Sequence, residues 1–313
     1  EFMITIPLIS TDKKLFDRVK GIIDSRPQNG YDLQLFTALK SAEEFLDTRA
    51  PELIFINFSD TYRLFDAPHN DFWLQHSGII ALCEECHTID EIHAIRGASI
   101  LASLTFDDVE KQLPGILDII RGNRSLLYHP RRGPDRRGDL TGSFKLRNDL
   151  FEADCYINLI CNYLCNSHRL TIDNRFFFHL PLHEMLINAI EHGNCGITYD
   201  EKSRFLERGG CAPDLIQEKS RCPAAAAKSV TLRYALYPSY ARFVIADQGN
   251  GFDWRTVIDA LDKKDTLRLH GRGILITREI VRSLRYNEKG NEVAFEINYE
   301  TPGKKQGVKT LFS

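Results

Sequence analysis

The chain has 313 residues, enough for two domains that each bury a core. Hydrophobic residues make up 43% and charged residues 27%, which excludes the disordered and fibrous classes. A net charge of −3 supplies no basic field, so direct nucleic-acid binding is not expected. Glu1-Phe2 ahead of Met3 reads as a cloning remnant, with Met3 as the native start. Residues 3–122 then alternate strands and helices. Ile4 to Ile9 is a strand and Lys13 to Ile23 a helix. Tyr31 to Phe36 and Leu53 to Phe58 are strands separated by the helical Ser41 to Asp47. Gly78 to Cys83 and Ala98 to Leu104 are further strands, and Val109 to Arg121 closes the domain as a helix. Strands alternating with helices in this way predict a doubly wound, parallel five-stranded sheet.

The size of this half and its segment Pro51-Glu-Leu-Ile-Phe-Ile-Asn57 resemble a response-regulator receiver domain. A receiver needs an aspartate at the end of its third strand to accept phosphate, and Asn57 stands there instead. The acidic pair expected after the first strand is reduced to Ser10-Thr11-Asp12. No lysine follows the fifth strand around Ala102-Ser103-Leu104. The resemblance with its departures implies a receiver-like domain that does not accept phosphate. Asp60 is the alternative acceptor if the register is displaced by three.

Residues 123–147 read as a basic linker. His129-Pro-Arg-Arg-Gly-Pro-Asp-Arg-Arg-Gly-Asp139 is too rich in proline, glycine and like charge for an element interior. A docking strip for an acidic partner or RNA is the other reading. The second domain, 148–313, opens with a helix over Asn148 to His168 and a candidate strand over Arg169 to Phe178. His183-Glu-Met-Leu-Ile-Asn-Ala-Ile-Glu-His-Gly-Asn194 follows as a helix. Glu184, Asn188 and Glu191 or His192 recur at three and four, so they share one face. Polar groups on an otherwise apolar helix are costly unless they meet a ligand or metal. Gly193 is the expected left-handed cap. Residues 198–227 form an insertion with helical stretches at Asp200 to Arg208 and Pro213 to Arg221. Val244-Ile-Ala-Asp-Gln-Gly-Asn-Gly-Phe-Asp-Trp254 is a strand running into an acidic glycine turn. His270-Gly-Arg-Gly-Ile-Leu-Ile-Thr-Arg-Glu-Ile-Val281 is a glycine turn feeding a helix, whose first amides suit an anion.

These segments, in this order, resemble the N, G1 and G2 boxes of the GHKL ATPases, which include gyrase and the histidine kinases. The match is nearest to the anti-sigma-factor type of serine/threonine kinase and covers roughly residues 150 to 300. The resemblance implies an α/β two-layer sandwich, with helices on one face of a mixed sheet. It implies that Asn188 holds Mg²⁺, that Asp247 accepts the adenine amino group, and that Gly249 and Gly251 floor the base pocket. Gly271 and Gly273 would cap the phosphates. Glu184 stands where that branch keeps a general base. The lid would be Phe252 to His270, with Lys263 and Lys264, and Arg268 and Arg272 would face the γ-phosphate. Tyr286 to Ile297 resembles the terminal hairpin. Expected cofactors are ATP and Mg²⁺, bound by the second domain alone. Expected partners are a STAS-type antagonist or a sigma factor, with a homodimer contact near the 148–168 helix. An ATP-responsive adaptor that transfers no phosphate fits the same boxes. A histidine kinase is a weaker fit, because His168 lies at a helix end and is followed by Arg169.

The remaining features call for little chemistry. Cys83-Glu-Glu-Cys-His87 spells a haem-attachment motif, yet Cys83 ends an apolar strand and reads as a core thiol. Cys195, Cys211 and Cys222 lack the paired spacing of a zinc site. Apolar runs fall well short of the ~20 residues that span a bilayer. With no secretory signal ahead of the first strand, a cytoplasmic chain with reduced cysteines is expected.

Overall fold

The computed structural model describes residues 3–62, 71–85, 98–127, 138–262 and 272–300, together with Thr88, Ile92 and Ile95. It divides into two units, the first holding residues up to 136 and residues 154–175, the second residues 137–153 and 176 onward.

The first unit is a parallel sheet in the order β2-β1-β3-β4-β5. Its strands are β1 (Ile4–Ile9), β2 (Tyr31–Phe36), β3 (Leu53–Asn57), β4 (Gly78–Cys83) and β5 (Ile100–Thr105). The central strands β3 and β4 are buried along their whole length, as a sheet covered on both faces requires. Helices Lys13–Asp24 and Val109–Gly122 turn Leu15, Val19, Ile23, Leu113, Ile116 and Leu117 inward. Asp12 starts the first of these by accepting from the amides of Lys14 and Leu15 at 2.7 and 3.1 Å.

Asn57 ends β3, the register in which the receiver comparison placed it. Asp60 is enclosed by donors. It accepts from the Thr11 amide at 2.7 Å, the Thr11 hydroxyl at 2.8 Å, the Asn57 amide at 2.9 Å and the Ser10 hydroxyl at 3.2 Å.

Helix Leu150–Asn166 is apolar on almost every side and also carries a ladder of amides. Asn158, Asn162 and Asn166 recur every fourth residue and bond the backbone of Leu101 and His76, at 3.1 to 3.2 Å. Arg175 donates to the Ile100 carbonyl at 2.8 Å and to Asn158 Oδ1 at 3.1 Å. Residues 154–175, read from sequence as part of the second domain, thereby belong to the first unit.

The second unit is a sheet in the order β6-β7-β8-β10-β9. Its strands are β6 (Leu140–Leu146), β7 (Val230–Leu236), β8 (Tyr240–Ala246), β9 (Ser283–Tyr286) and β10 (Glu292–Asn298). Among the described strands every pair is antiparallel, where a mixed sheet was expected. Tight hairpins join β7 to β8 and β9 to β10, and such short links permit only antiparallel neighbours. The strands bury alternate residues, leaving one face for helices. Helix Arg175–Asn188 covers it. Phe178 meets Phe243 at 5.8 Å between ring centres, and Phe243 meets Phe295 at 5.6 Å.

Two expectations are corrected here. β6 lies inside the stretch read as linker; its Phe144 and Leu146 point to the core and it pairs with β7 along its length. No strand covers Arg169–Phe178. A short turn of 3-10 helix at Ile172–Asn174 leads into the helix that starts at Arg175. Phe178, Leu182, Met185 and Leu186 recur at helical spacing and are all buried, which a strand could not achieve.

Among the described residues no helix is long and apolar enough to cross a membrane.

Candidate nucleotide site

The helix that carries Glu184 and Asn188 does not end at His192. Residues Ala189–Asn194 continue it as a π turn, with the Cys195 amide reaching back to the Ile190 carbonyl at 2.9 Å. The left-handed residue is Gly196, with φ of 64°, and Gly193 stays within the helix. Gly193 is needed for a different reason. A Cβ there would run into the Asp247 carboxylate, and a Cβ on Gly249 would run into the Gly193 carbonyl. The helix and the glycine turn after β8 interlock because both lack side chains at the crossing.

Asp247 directly follows β8. Its backbone exchanges hydrogen bonds with Asn291, through the Asp247 amide at 3.0 Å and the Asn291 side chain at 3.1 Å. Asp247 Oδ1 accepts from the Gly249 amide at 2.7 Å, and the Lys289 ammonium donates to the Gly249 carbonyl at 2.9 Å. Asn194 is 2% exposed and ties the turn to the helix. Its Oδ1 accepts from the Gln248 amide and its Nδ2 donates to Asn148 Oδ1, both at 2.8 Å. Gly251 has φ of 75° with its Cβ direction filled by the Lys289 carbonyl, so the turn requires glycine there.

A cavity of about 660 Å³ lies beside these groups. Glu184, Asn188, Gly193, Asp247, Gly251 and Gly273 all line it. Gly273 is the second residue of the helix Arg272–Ile280 and faces Glu184; a Cβ there would lie 3.6 Å from Asn188 Nδ2. Burial lifts the Glu184 carboxyl above its ordinary range, against the pull of His183 and Lys202. Burial lifts Asp247 as well, against the Gly249 amide and Lys289.

The structure thus brings Glu184, Asn188, Asp247, Gly251 and Gly273 to one cavity, with Gly249 packed behind it. Arg268, Gly271, Lys263 and Lys264 lie outside the described residues, as does the side chain of Arg272. The lid stretch contains a helix at Trp254–Asp262.

The sequence suggests the insertion as a helical elaboration beside the nucleotide mouth, but it singles out none of the residues that line the cavity. Helix Tyr199–Glu207 lines the cavity with Tyr199, Lys202, Ser203 and Leu206. Their spacing of three and four was the available signal. Glu191 was weighed only for its face; it is buried and paired with Lys202 at 2.7 Å.

Cys83 is a core thiol as expected, directed at the Leu104 carbonyl at 3.5 Å; Cys86 and His87 lie outside the described residues. Cys195, Cys211 and Cys222 are free and make no three-ligand group among the described residues.

No curated protein matches this chain. Residues 159–297 match the family model described as histidine kinase-like ATPase domain. Helices over one face of a sheet and a cavity between the helix of Asn188 and the turn of Asp247 agree with that match, and this segment is a histidine kinase-like ATPase domain, a type that binds ATP.

Proposed function

We propose that this protein is a Mg-ATP-dependent serine/threonine kinase of the anti-sigma-factor type, acting on a STAS-type partner in a bacterial switching circuit. The observation that carries the reading is the placement of a lifted carboxylate, Glu184, one turn before Asn188 and opposite Gly273. A carboxylate there can accept the proton of an attacking hydroxyl. Asn188 offers an amide oxygen, a donor suited to a hard cation, and the neighbouring carboxylates suit its hydration shell. Bound there, Mg²⁺ would neutralise charge on the phosphates. Asp247, which also lines the cavity, can present its carboxylate to an amino group, and the absence of a Cβ at Gly193 and Gly249 leaves room for it. The test is transfer of the γ-phosphate from ATP to a partner captured from the native organism. Partner affinity that responds to ATP without any transfer would favour the adaptor instead. A histidine kinase has less support, because His168 follows the helix end with φ of 54° and is not on a helix face.

The adenine contact has its own test. Asp247→Asn replaces an accepting oxygen with a donor that faces the adenine amino group. A charge-assisted hydrogen bond contributes ~1.5–3 kcal/mol, so ATP affinity should fall about tenfold or more. Calorimetric titration measures this, and undiminished affinity would remove Asp247 from the adenine site.

The first unit supports a receiver-like domain that does not accept phosphate. Asn57 occupies the acceptor position, Asp60 is held by surrounding donors, and Asp12 caps a helix. Acetyl phosphate should therefore leave the chain unmodified. Mass spectrometry that finds a labile acyl phosphate on Asp60 or Asp12 would reverse this reading.

A further inference from the structure

Among the described residues, the charged groups that line the cavity are mostly acids. Glu184, Glu191, Asp247 and Glu292 all line it, and among the described residues Lys202 is the single lysine or arginine that does. Glu191 is 1% exposed, far below what an unpaired carboxylate tolerates. Its Oε2 takes the Lys202 ammonium at 2.7 Å, whereas its Oε1 is buried without a hydrogen bond. His192 does not satisfy that oxygen in its neutral form. Its Nδ1 faces the Ile197 carbonyl at 2.7 Å, and a carbonyl only accepts, so Nδ1 carries the proton. The other nitrogen then turns a lone pair toward Glu191 Oε1, 3.4 Å away.

Lys202 is therefore fixed at the cavity wall by a carboxylate that has few other partners. Glu191 follows Asn188 by three residues, and Asn188, Glu191 and Lys202 all line the one cavity. The ammonium so held lines the cavity that Asn188 also lines and is near enough to Glu184, one turn before Asn188, to act on its charge. A phosphate chain entering a wall of carboxylates is repelled unless cations stand between them. Lysine can stand between them because it carries three donors on one compact charge. One can remain on Glu191 while others reach an anion.

We propose that Lys202, delivered by the inserted helix Tyr199–Glu207, is an ammonium that contacts the phosphate chain of bound ATP, held in place by Glu191. The proposal rests on the nucleotide-site reading above. It makes the insertion a working wall of the site, and Lys202 a determinant of triphosphate affinity.

The test titrates ATP and adenosine, each with Mg²⁺, into the full chain and two variants, Lys202→Met and the double variant Glu191→Gln with Lys202→Met. The double variant removes both charges, so no carboxylate is stranded in the interior if the single variant fails to fold. ATP should bind about tenfold or more weakly to the variants, the loss of one charge-assisted contact, while adenosine binding stays the same. ATP affinity equal to the parent, or equal losses for ATP and adenosine, would overturn the role of Lys202. A parent chain that binds no ATP overturns the nucleotide site and Lys202 with it. A parent that binds ATP beside an unaffected double variant overturns Lys202 alone.

Discussion

Glu184→Gln should leave ATP binding close to the parent value and cut phosphate transfer by about 10²–10⁴-fold, the range of a positioned general base. The split follows from geometry. Glu184 lies against Gly273, whereas Asp247 lies against Gly193 and Gly249. Such a loss is about 3–5 kcal/mol of barrier and is read by single-turnover transfer to the partner. The pH profile supplies a second reading. Burial raises the Glu184 carboxyl, so it remains protonated, and unable to act as a base, to a higher pH than a free side chain. Transfer should then rise with pH through a limb above the ordinary carboxylate range, and Glu184→Gln should lose that limb. Equal transfer by both proteins would take Glu184 out of the chemistry.

Gly193→Ala sets two principles against each other. Gly193 lies in a helical turn with ordinary backbone angles, where alanine normally adds up to about 1 kcal/mol of stability. The same methyl group would run into the Asp247 carboxylate. That carboxylate is fixed by the Gly249 amide at 2.7 Å, so it cannot give way without opening the turn. We expect the steric effect to win, with ATP affinity falling about a hundredfold as the adenine contact and its hydrogen bond are both displaced. Thermal unfolding and ATP titration of the variant together decide it. A stabilised protein with normal affinity would show that the two segments do not interlock as described.

The strands of the first unit were legible because apolar runs of five or six residues, bounded by turn residues, have few other uses. The helix of Glu184 and Asn188 was legible for its polar stripe. Its continuation was not, since a π turn has no compositional mark and Gly193 resembles an ordinary cap. β6 was hidden by its neighbours: Leu140–Leu146 alternates as a strand should, but it follows an arginine-rich stretch that reads as linker. The helix from Arg175 was obscured by Phe176, Phe177 and Phe178, residues that favour strands until their spacing to Leu182 and Met185 is counted. Lys202 could not be assigned from sequence because a lysine on a charged helix is usually a solvated one. Only its pairing with a buried glutamate reveals its place.

The segment that matches the ATPase family begins at residue 159, yet residues 154–175 fold with the first unit. A cut in the basic stretch near residue 137 would not liberate a self-sufficient ATPase. It would take away the groups at His76, Ser99, Ile100 and Leu101 to which Asn158, Asn162, Asn166 and Arg175 are bonded. Those side chains would then face water, and the helix would lose the bonds that tie it to the rest of the first unit, each contributing about 0.5–1.5 kcal/mol net. The second domain as read from sequence, 148–313, would carry those amides without their acceptors. In recombination, natural or engineered, the exchangeable block is not the ATPase segment. Any new N-terminal domain grafted onto it must bring acceptors for those amides, so the two halves are constrained to be inherited as a pair.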